Sequence, residues 1–498
     1  MAGARHLLGI DIGSSSIKAT LLEAESGIAV ATAVSPSTEL AMTARKPGWA
    51  EQDPEEWWRH VVAAAKSIGA KMGGLDSVAA IGIAYQMHGL VLVDKGQKPL
   101  RPSIIWCDGR AVEIGERAFR KIGADACLPR MLNSPGNFTA TRLAWVKENE
   151  PDIYRLIHKA MLPGDYIAMK MTGEIKTTVS GVSEAILWDF KQGAVSDIVL
   201  STLGISRELL ADIVPTFSVQ GALKPSAAAE LGLKKGVVVA YRAGDQPNNA
   251  FSLNVLAPGE AATTAGTSGV VYGVTSEARY DRKSRVNTFV HVNHSPAAPR
   301  YGVLLCVSGT GILNSWIRRN LMGASASYEE MNRIAAGAPV GSDGLLVMPF
   351  GNGAERTLEN RNVGSSILGL DFNRHGKPHV LRAAQEGIVF ALRYGLSIMA
   401  DMGMEAKTVR AGHANMFLSP IFQEAFATVT GARVELFNTD GSQGAARGAG
   451  LGAGVFRDEK EAFAGLAAVR TVDPNSRLEA AYKDAYGAWA EALKKVLA

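Results

Sequence analysis

A short polar turn between two apolar segments near the N-terminus constrains the fold more than any other feature of the sequence. Residues 7–12 are apolar apart from Asp11, residues 13–16 read Gly-Ser-Ser-Ser, and an alternating apolar pattern resumes over residues 17–22. This pattern predicts a β-hairpin whose turn presents backbone N–H groups and hydroxyls beside a carboxylate. Small turn residues let a polyanion approach the backbone, and Asp11 can hold the Mg²⁺ that accompanies it. An ordinary hairpin with a polar turn is the alternative.

A second turn of the same kind lies about half of the 498-residue chain further on. Residues 261–264 and 270–274 predict two strands, and Gly-Thr-Ser-Gly at residues 266–269 connects them. Two similar phosphate-binding hairpins predict two similar halves that face a shared cleft. The Ala-Pro-Gly sequence at residues 257–259 is the predicted boundary between the halves.

Alternating strand and helix patterns in the first half predict a mixed sheet flanked by helices. Residues 28–34 extend the first hairpin by a third predicted strand. A predicted helix over residues 55–72 opens with Asp53 as N-cap and Pro54 in the first turn. Residues after about 456 are charged and alanine-rich, which predicts terminal helices.

The charge balance gives no support to a nucleic-acid or membrane partner. The 52 basic and 48 acidic residues leave a formal net charge of +4, and no dense basic stripe is present. No segment approaches the ~20 apolar residues of a membrane span, and the first dozen residues lead into a strand instead of a signal peptide. The scattered Cys107, Cys127 and Cys306 predict reduced thiols. We therefore expect a cytoplasmic protein.

Common nucleotide and metal motifs are not supported. No Gly-x-x-x-x-Gly-Lys-Ser/Thr occurs, which excludes a P-loop site. Gly448, Gly450 and Ala453 match a loose dinucleotide fingerprint, but no predicted strand leads into this helical stretch, so close helix packing explains it better. His291 and His294 have no further ligands nearby, which argues against a metal site there.

Polar motifs occur at the predicted strand ends along the whole chain. In order, they are Asp11, Gln-Met-His-Gly (86–89), Trp-Cys-Asp-Gly-Arg (106–110), Ala-Gly-Asp-Gln (243–246), Ala-Gly-Thr-Ser-Gly (265–269) and Gly-His-Ala-Asn (412–415). Together with Gly-Trp-Ala-Glu-Gln-Asp-Pro (48–54) and Glu-Arg-Thr (355–357), this series resembles the FGGY carbohydrate kinases from residue 6 to about residue 455. Glycine turns and acidic strand ends are also what phosphoryl transfer requires.

The resemblance implies an α/β fold with two actin/Hsp70-like (ribonuclease H-like) domains, residues 1–257 and 258–498, that face a central ATP/sugar cleft. It also implies transfer of the γ-phosphoryl group of ATP to a terminal hydroxyl of a small sugar, with Mg²⁺ present, and the family habit is a homodimer. The remote alternative is an actin- or Hsp70-like ATPase that binds a protein partner. A candidate base, Asp245, between the two halves argues against that alternative.

The resemblance also assigns roles to individual residues. Asp245 is the expected general base and Asp11 the expected Mg²⁺ residue; a helix cap near Pro247 is the alternative role for Asp245. The expected sugar contacts are Gln86, Met87, His88, Trp106, Asp108, Asp245 and Gln246. The expected ATP contacts are Gly13, Ser14, Ser15, Lys18, Gly266, Thr267, Ser268, Gly309, Gly412, His413 and Asn415.

Several of these residues also have structural interpretations. His88 can be a core histidine at a strand end, and Lys18 can be an exposed strand lysine. Trp106 can belong to the core, with Asp108 and Arg110 as an exposed ion pair.

The acceptor sugar is the least determined part of the prediction. Gln-Met-His-Gly followed by Trp-x-Asp-Gly-Arg is similar to the pattern of the xylulose kinases, which implies that D-xylulose is converted to D-xylulose 5-phosphate. Gln246 after the candidate base is closer to the glycerol kinases, and Ala-Gly-His-Ala at residues 411–414 departs from the usual Gly-Gly-Gly-Ala of the adenine loop. Glycerol, ribulose, gluconate and erythritol are the alternative acceptors.

Overall fold

The first predicted hairpin provides two inner strands of a six-stranded mixed sheet. The structure, a computed structural model, describes residues 5–323 and 325–498. The strands of the described residues are β1 His6–Ile12, β2 Ile17–Glu23, β3 Ala29–Ser35, β4 Glu51–Gln52, β5 Val78–Tyr85, β6 Val91–Val93, β7 Ser103–Ile104, β8 Lys159–Met161, β9 Lys176–Thr178, β10 Trp188–Asp189, β11 Ala194–Val195, β12 Asp212–Val214, β13 Phe217–Ala222, β14 Val238–Gly244, β15 Ala261–Ala265, β16 Gly269–Thr275, β17 Asn287–Val290, β18 Tyr301–Val307, β19 Leu346–Phe350, β20 Gly364–Leu368, β21 Thr408–Gly412, β22 Arg433–Phe437 and β23 Ala468–Val472.

The α-helices alternate with these strands along much of the chain. They are α1 Pro54–Met72, α2 Val112–Ile122, α3 Ala124–Met131, α4 Thr139–Asn149, α5 Pro151–Leu156, α6 Pro163–Thr172, α7 Val179–Glu184, α8 Asp197–Leu203, α9 Pro225–Leu231, α10 Asp245–Ser252, α11 Gly311–Ile317, α12 Tyr328–Ala335, α13 Lys377–Asp401, α14 Pro420–Thr430, α15 Gly441–Gly452, α16 Glu459–Ala462 and α17 Glu479–Leu497. Among the described residues, no helix combines the length and apolar character needed to cross a membrane.

The chain divides into two units whose sequence segments interleave. The first unit contains residues 5–254, Phe289–Tyr301 and Thr439–Leu466. The second contains Val255–Thr288, Gly302–Asn438 and Ala467–Ala498. The predicted domains, residues 1–257 and 258–498, are two consecutive segments instead, and that assignment stays a prediction.

The sheet of the first unit has the order β13-β14-β5-β1-β2-β3. The strands β1, β2 and β3 form an antiparallel meander, and β5 runs parallel to both β1 and β14. The pairing of Ile12 with Ile17 ends the first hairpin ladder and leaves residues 13–16 as its turn. Helix α1 begins as predicted, because the Asp53 side chain accepts a hydrogen bond from the Glu55 amide at 2.9 Å. Its Trp57 is fully buried in the core of this unit.

Helix α15 packs against β1, β5 and β14 of the first unit. Gly448 lies within this helix, and a Cβ atom there would meet the Tyr241 ring at 2.5 Å. This contact confirms close packing as the reason for its glycines. The expectation that no strand precedes this stretch was wrong, since the alternating residues of β22 come shortly before α15 in the chain. Gly448 and Gly450 nevertheless lie in the second half of the helix and not at its N-terminus.

The sheet of the second unit has the order β17-β18-β16-β15-β21-β22-β23. The antiparallel pair β15–β16 is the second predicted hairpin, and β21 runs parallel to β15, as β5 does to β1 in the first unit. The expectation of terminal helices after residue 456 was partly wrong, because β23 pairs antiparallel with β22. This pairing satisfies backbone groups of β22 that an edge strand would leave open. Trp489 of α17 is fully buried in the core of this unit.

Candidate active site

Hydrogen bonds from the protein interior fix the turn of the first hairpin. The Gly13 amide donates to the Ser16 carbonyl at 3.1 Å. The Gln52 side-chain amide donates to the Ser14 carbonyl at 2.7 Å, and the Leu40 amide to the Ser15 carbonyl at 2.7 Å. Ser15 itself remains exposed. The predicted phosphate turn is therefore held from behind, with its tip open to solvent.

Three carboxylates of the first unit gather beside this turn. They are Asp11 at the end of β1, Asp245 at the start of α10, and Asp440, whose side chain caps α15 by accepting from the Gln443 amide at 3.0 Å. Burial, followed by the charges of Asp245 and Asp440, raises the pKa of Asp11 to about 7. The sequence prediction had missed Asp440, although an aspartate before Gly-Ser is a recognisable helix-start signal.

Lys18 contributes a positive charge to this cluster. Its ammonium lies 2.6 Å from the Asp440 carboxylate. Burial favours the neutral form of Asp440, but this ion pair and hydrogen bonds from Ser442 and Gln443 outweigh it and hold the pKa of Asp440 below its usual value. Three carboxylates against one lysine leave the cluster with an excess of negative charge once all are ionised.

Asp245 is the first residue of helix α10 and follows directly after β14. The helix begins there and not near Pro247, and no side chain caps it, so the capping interpretation of Asp245 was wrong. Burial raises the pKa of Asp245 to about 6, against smaller opposing effects of hydrogen bonds from Gln246 and from the Met87 backbone. The Gln246 amide nitrogen donates to the Asp245 carboxylate at 3.2 Å.

The Gln-Met-His-Gly turn lies next to Asp245 in the same unit. The Met87 side chain packs so close to Gly244 that a Cβ atom on Gly244 would lie 2.6 Å from it. Gln86 is buried, and its amide nitrogen donates to the Gln52 side chain at 3.2 Å. His88 is partly exposed, with 20% of its side chain accessible, and its assignment as a sugar contact stays a prediction. The predicted sugar motif and the predicted base are thus neighbours.

The Trp-x-Asp-Gly-Arg segment places its polar residues differently from the prediction. Trp106 is 49% exposed, and its indole nitrogen lies 3.4 Å from the Ser14 hydroxyl, so it is not a core residue. The Asp108 carboxylate is fully buried and accepts from the Ala50 amide at 2.6 Å and from the Arg110 guanidinium at 2.7 Å. The expectation of an exposed Asp108–Arg110 pair was wrong, because the Arg110 guanidinium stacks 3.7 Å over the Trp49 ring inside the protein.

A buried arginine that the sequence analysis missed connects the two sugar motifs. The Arg142 guanidinium of α4 donates to the His88 carbonyl and, at 2.9 Å, to the Trp106 carbonyl. It also lies 3.4 Å from the Asp108 carbonyl. These carbonyls are 34 to 54 residues away in the chain, and no local pattern marks the arginine as their partner.

The second hairpin lies at a pocket of the second unit. Two amides of α11 bind its turn: Gly311 donates to the Gly266 carbonyl at 2.8 Å, and Ile312 to the Thr267 carbonyl at 3.2 Å. The pocket has a volume of about 500 Å³. It is lined by Ala265, Gly266, Thr267, Gly311, Ile312, Asn314, Ser315, Tyr328, Asn332, Asn415, Met416, Leu418 and Ser419.

Three of the predicted ATP residues, Gly266, Thr267 and Asn415, thus line one pocket, and Ser268 completes the same turn. Gly412 is the last residue of β21, and the His413 amide is bound to the Phe437 carbonyl at 2.8 Å. Gly309 lies in the connection between β18 and α11. Tyr328 and Asn332 of α12 were missed, since their helix begins far from any of the motifs.

Comparison with known proteins identifies the family. The model of the N-terminal domain of the FGGY family of carbohydrate kinases matches residues 6–252, and that of the C-terminal domain matches residues 261–455. A xylulose kinase from Escherichia coli (strain K12) is 30% identical over 446 residues, which cover 89% of this chain and 88% of that protein.

Solved structures agree with this result. The crystal structure of a kinase described as a xyloylose kinase, from Brucella ovis, has a TM-score of 0.88 at 26% identity and covers 99% of both chains. A gluconate kinase from Lactobacillus acidophilus has a TM-score of 0.90 at 22% identity, over 100% of this chain and 99% of that one, and shows the fold alone. The predicted α/β fold with two sheet-containing domains of the actin/Hsp70-like type is confirmed. The chain therefore belongs to the FGGY family of carbohydrate kinases and is an ATP-dependent sugar kinase.

Proposed function

We propose that this kinase transfers the γ-phosphoryl group of ATP to the terminal hydroxyl of D-xylulose, forming D-xylulose 5-phosphate, with Asp245 as the general base. The observation that carries the proposal is the contact between the Gln-Met-His-Gly turn and the Gly244–Asp245 segment in the first unit. The Escherichia coli relative with the name xylulose kinase supports the choice of sugar.

The position of Asp245 suits proton removal from a sugar hydroxyl. Its pKa of about 6 leaves it ionised at neutral pH while making it a stronger base than a free aspartate. The hydroxyl oxygen bonds to the γ-phosphorus as the bond from that phosphorus to the ADP oxygen breaks, and the hydroxyl proton passes to the Asp245 carboxylate. Because the transition state of phosphoryl transfer is loose, positioning of the hydroxyl contributes more than basicity.

The acidic cluster fits the Mg²⁺ that sugar kinases of this family typically use with ATP. Asp11, whose pKa is raised in part by its acidic neighbours, lies in a cluster whose excess negative charge a divalent cation would offset. Among the described residues, no group of three or more His, Cys, Asp or Glu side chains is arranged to hold a metal ion, so Asp11 alone is the proposed protein contact. Asp11 would hold the ion, and the bound ion supplies neutralisation of phosphate charge.

The proposed ATP contacts follow from the two hairpins. Backbone amides and hydroxyls of Gly13–Ser15 and of Gly266–Ser268 are suited to bind phosphate oxygens. The remaining proposed contacts are Lys18, Gly309, Gly412, His413 and Asn415. The proposed sugar contacts are Gln86, Met87, His88, Trp106, Asp108 and Gln246, of which Trp106 and His88 offer the most accessible side chains. A homodimer is the proposed assembly.

A kinase for another small acceptor is the second candidate. Gln246, which donates to the Asp245 carboxylate, resembles the residue that glycerol kinases place after the base. Ribulose, gluconate and erythritol are further candidates. All of these enzymes would use the same base and the same phosphate turns.

A panel of acceptors tests the proposed sugar. The purified enzyme is assayed for ADP formation with D-xylulose, D-ribulose, glycerol, gluconate and erythritol, and the product is located by ³¹P and ¹³C NMR. We expect the highest kcat/KM for D-xylulose and phosphate on its O5. An Asp245→Asn variant measured in parallel corrects for contaminating ATPase. A tenfold preference for another acceptor would overturn D-xylulose and leave the kinase assignment intact.

A further inference from the structure

A buried glutamate lies directly behind the Gln-Met-His-Gly turn. Glu184 is the last residue of α7, and only 2% of its side chain is exposed. Its carboxylate oxygen Oε2 accepts from the His88 amide at 3.3 Å and lies 3.7 Å from the His88 ring nitrogen Nδ1. The two residues are 96 positions apart in the chain.

His88 has a backbone conformation that needs support from outside the turn. Its φ angle is +64°, in the left-handed region that non-glycine residues rarely adopt. Glu184 binds the amide on one side of the residue, and the Arg142 guanidinium binds the carbonyl on the other. Such a conformation persists only where the surroundings determine it, as these two buried polar side chains do.

The same glutamate also orients the imidazole ring. The backbone carbonyl of Glu184 lies 2.9 Å from His88 Nδ1. Because a carbonyl oxygen only accepts hydrogen bonds, this contact places a proton on Nδ1 and fixes the orientation of the ring. Phe138 packs edge-on against the ring with centroids 4.8 Å apart, and Phe289 packs at 5.5 Å, which restricts rotation of the ring.

We propose that Glu184 is a positioning residue of the acceptor site: its carboxyl group fixes the backbone of His88, and its main-chain carbonyl fixes the tautomer and orientation of the His88 ring. This inference rests on the proposed function in one respect, namely that His88 contacts the acceptor. A second contact agrees with a role at the site: a Cβ atom on Gly244, the residue before Asp245, would lie 3.1 Å from the Glu184 carboxylate. Glu184 therefore binds the backbone of His88 and lies next to the residue that precedes the proposed base.

A double-mutant cycle separates this role from general stabilisation of the fold. Glu184→Ala, His88→Ala and the double variant are assayed with the best acceptor of the panel. Loss of one buried hydrogen-bond partner predicts a rise of roughly 5- to 150-fold in the sugar KM for Glu184→Ala, with an ATP KM within about twofold of wild type. In the His88→Ala background, Glu184→Ala is expected to add less than about twofold, because its effect passes through His88.

Conservative and matched variants complete the design. Glu184→Gln keeps an acceptor of the same length for the His88 amide, and we expect a sugar KM within about threefold of wild type. Glu386 is a buried glutamate of the second unit, hydrogen-bonded by Arg382 and by the Gly341 amide. Glu386→Gln is therefore expected to lower the melting temperature without changing the sugar KM.

NMR on ¹⁵N-histidine-labelled wild-type enzyme reports the tautomer of His88 in the native protein, and a variant is needed only to assign the signal. We expect His88, assigned by its loss in His88→Ala, to carry its proton on Nδ1. A proton on Nε2 alone, or additive effects of the two alanine substitutions, would overturn the inference. A preference for another sugar in the acceptor panel would instead count against D-xylulose and leave the role of Glu184 standing.

Discussion

The two glycine hairpins share a backbone plan and differ in the chemistry around it. In the first, the pair next to the end of the ladder is Asp11 opposite Lys18; in the second, the corresponding pair is Thr264 opposite Val270. Asp245 and Asp440 join Asp11 near the first turn. Among the described residues, amides, hydroxyls, one aromatic ring and apolar groups line the pocket at the second turn, without a carboxylate.

Both turns offer backbone N–H donors. The side chains around each turn determine which ligand or chemical step that turn suits. Carboxylates near the first turn suit a cation and a base for the acceptor. A mostly neutral pocket at the second turn suits the uncharged part of a nucleotide, which needs apolar surface and a few directed polar groups. The four predictions below test this division between the hairpins.

The largest effect is expected from Asp245→Ala. Removal of the proposed base should lower kcat by roughly 10²- to 10⁴-fold, because general base catalysis contributes about that much. Binding of ATP should persist, since Asp245 serves the acceptor. Steady-state kinetics and calorimetric titration with ATP measure both quantities. The assignment of Asp245 fails if the variant keeps more than about a tenth of the wild-type kcat.

A matched pair of glycine substitutions compares the two turns directly. A Cβ atom on Gly441 would lie 2.2 Å from the Asp11 carboxylate, and one on Gly311 would lie 2.3 Å from the Gly266 carbonyl. We expect Gly441→Ala to lower kcat by about 10- to 100-fold through displacement of Asp11. Gly311→Ala should mainly raise the ATP KM, by about tenfold.

Circular dichroism melts check that both glycine variants are folded before their kinetics are compared. Equal effects of the two substitutions on kcat and on the ATP KM would contradict the assignment of catalysis to the first hairpin and of nucleotide binding to the second.

Stability should depend on pH at the first hairpin and not at the second. The folded-state pKa of Asp245 is about 6, above the ~3.9 of an unfolded chain, so the folded protein binds more protons between these values. Ionisation of Asp245 therefore lowers the free energy of unfolding progressively as the pH rises from about 4 to about 6. Asp245→Asn should raise the free energy of unfolding by about 1–3 kcal/mol at pH 8 and by much less at pH 4.

Denaturant unfolding of the nucleotide-free enzyme at these two pH values measures the difference. Thr267→Val in the second hairpin is the control, because it removes no titrating group, and its effect should be the same at both pH values. If Asp245→Asn raised the free energy of unfolding equally at both pH values, the result would contradict the burial of an ionisable group at this position.

The smallest effect is expected from Lys18→Ala. The lysine is engaged by Asp440 in a partly exposed ion pair, so its loss should destabilise the fold by less than about 1 kcal/mol. Because Asp440 engages the ammonium group, the proposed contact of Lys18 with ATP is weak, and the ATP KM should rise by no more than about threefold. A rise of the ATP KM above tenfold would show that Lys18 leaves Asp440 to bind a phosphate. The first hairpin would then contribute more to nucleotide binding than its acidic surroundings suggest.

Local patterns in the sequence determined both hairpins and the order of the motifs. Alternation with a period of two and small turn residues act within a few positions, so they could be recognised at Asp11–Lys18 and at Thr264–Val270. The same holds for the cap at Asp53, whose partner is two residues away. Resemblance of the motifs to one family then determined the reaction class.

Tertiary structure alone decided which polar groups meet. Asp108 turned inward because Ala50 and Arg110 bind its carboxylate, and Asp440 reached Asp11 because α15 packs against β1. Glu184 and Arg142 lie 96 and 54 residues from the histidine that they hold. Burial makes such contacts strong, since a buried charge must find a partner, but the partner is selected by packing of distant segments and leaves no periodic signal in the chain.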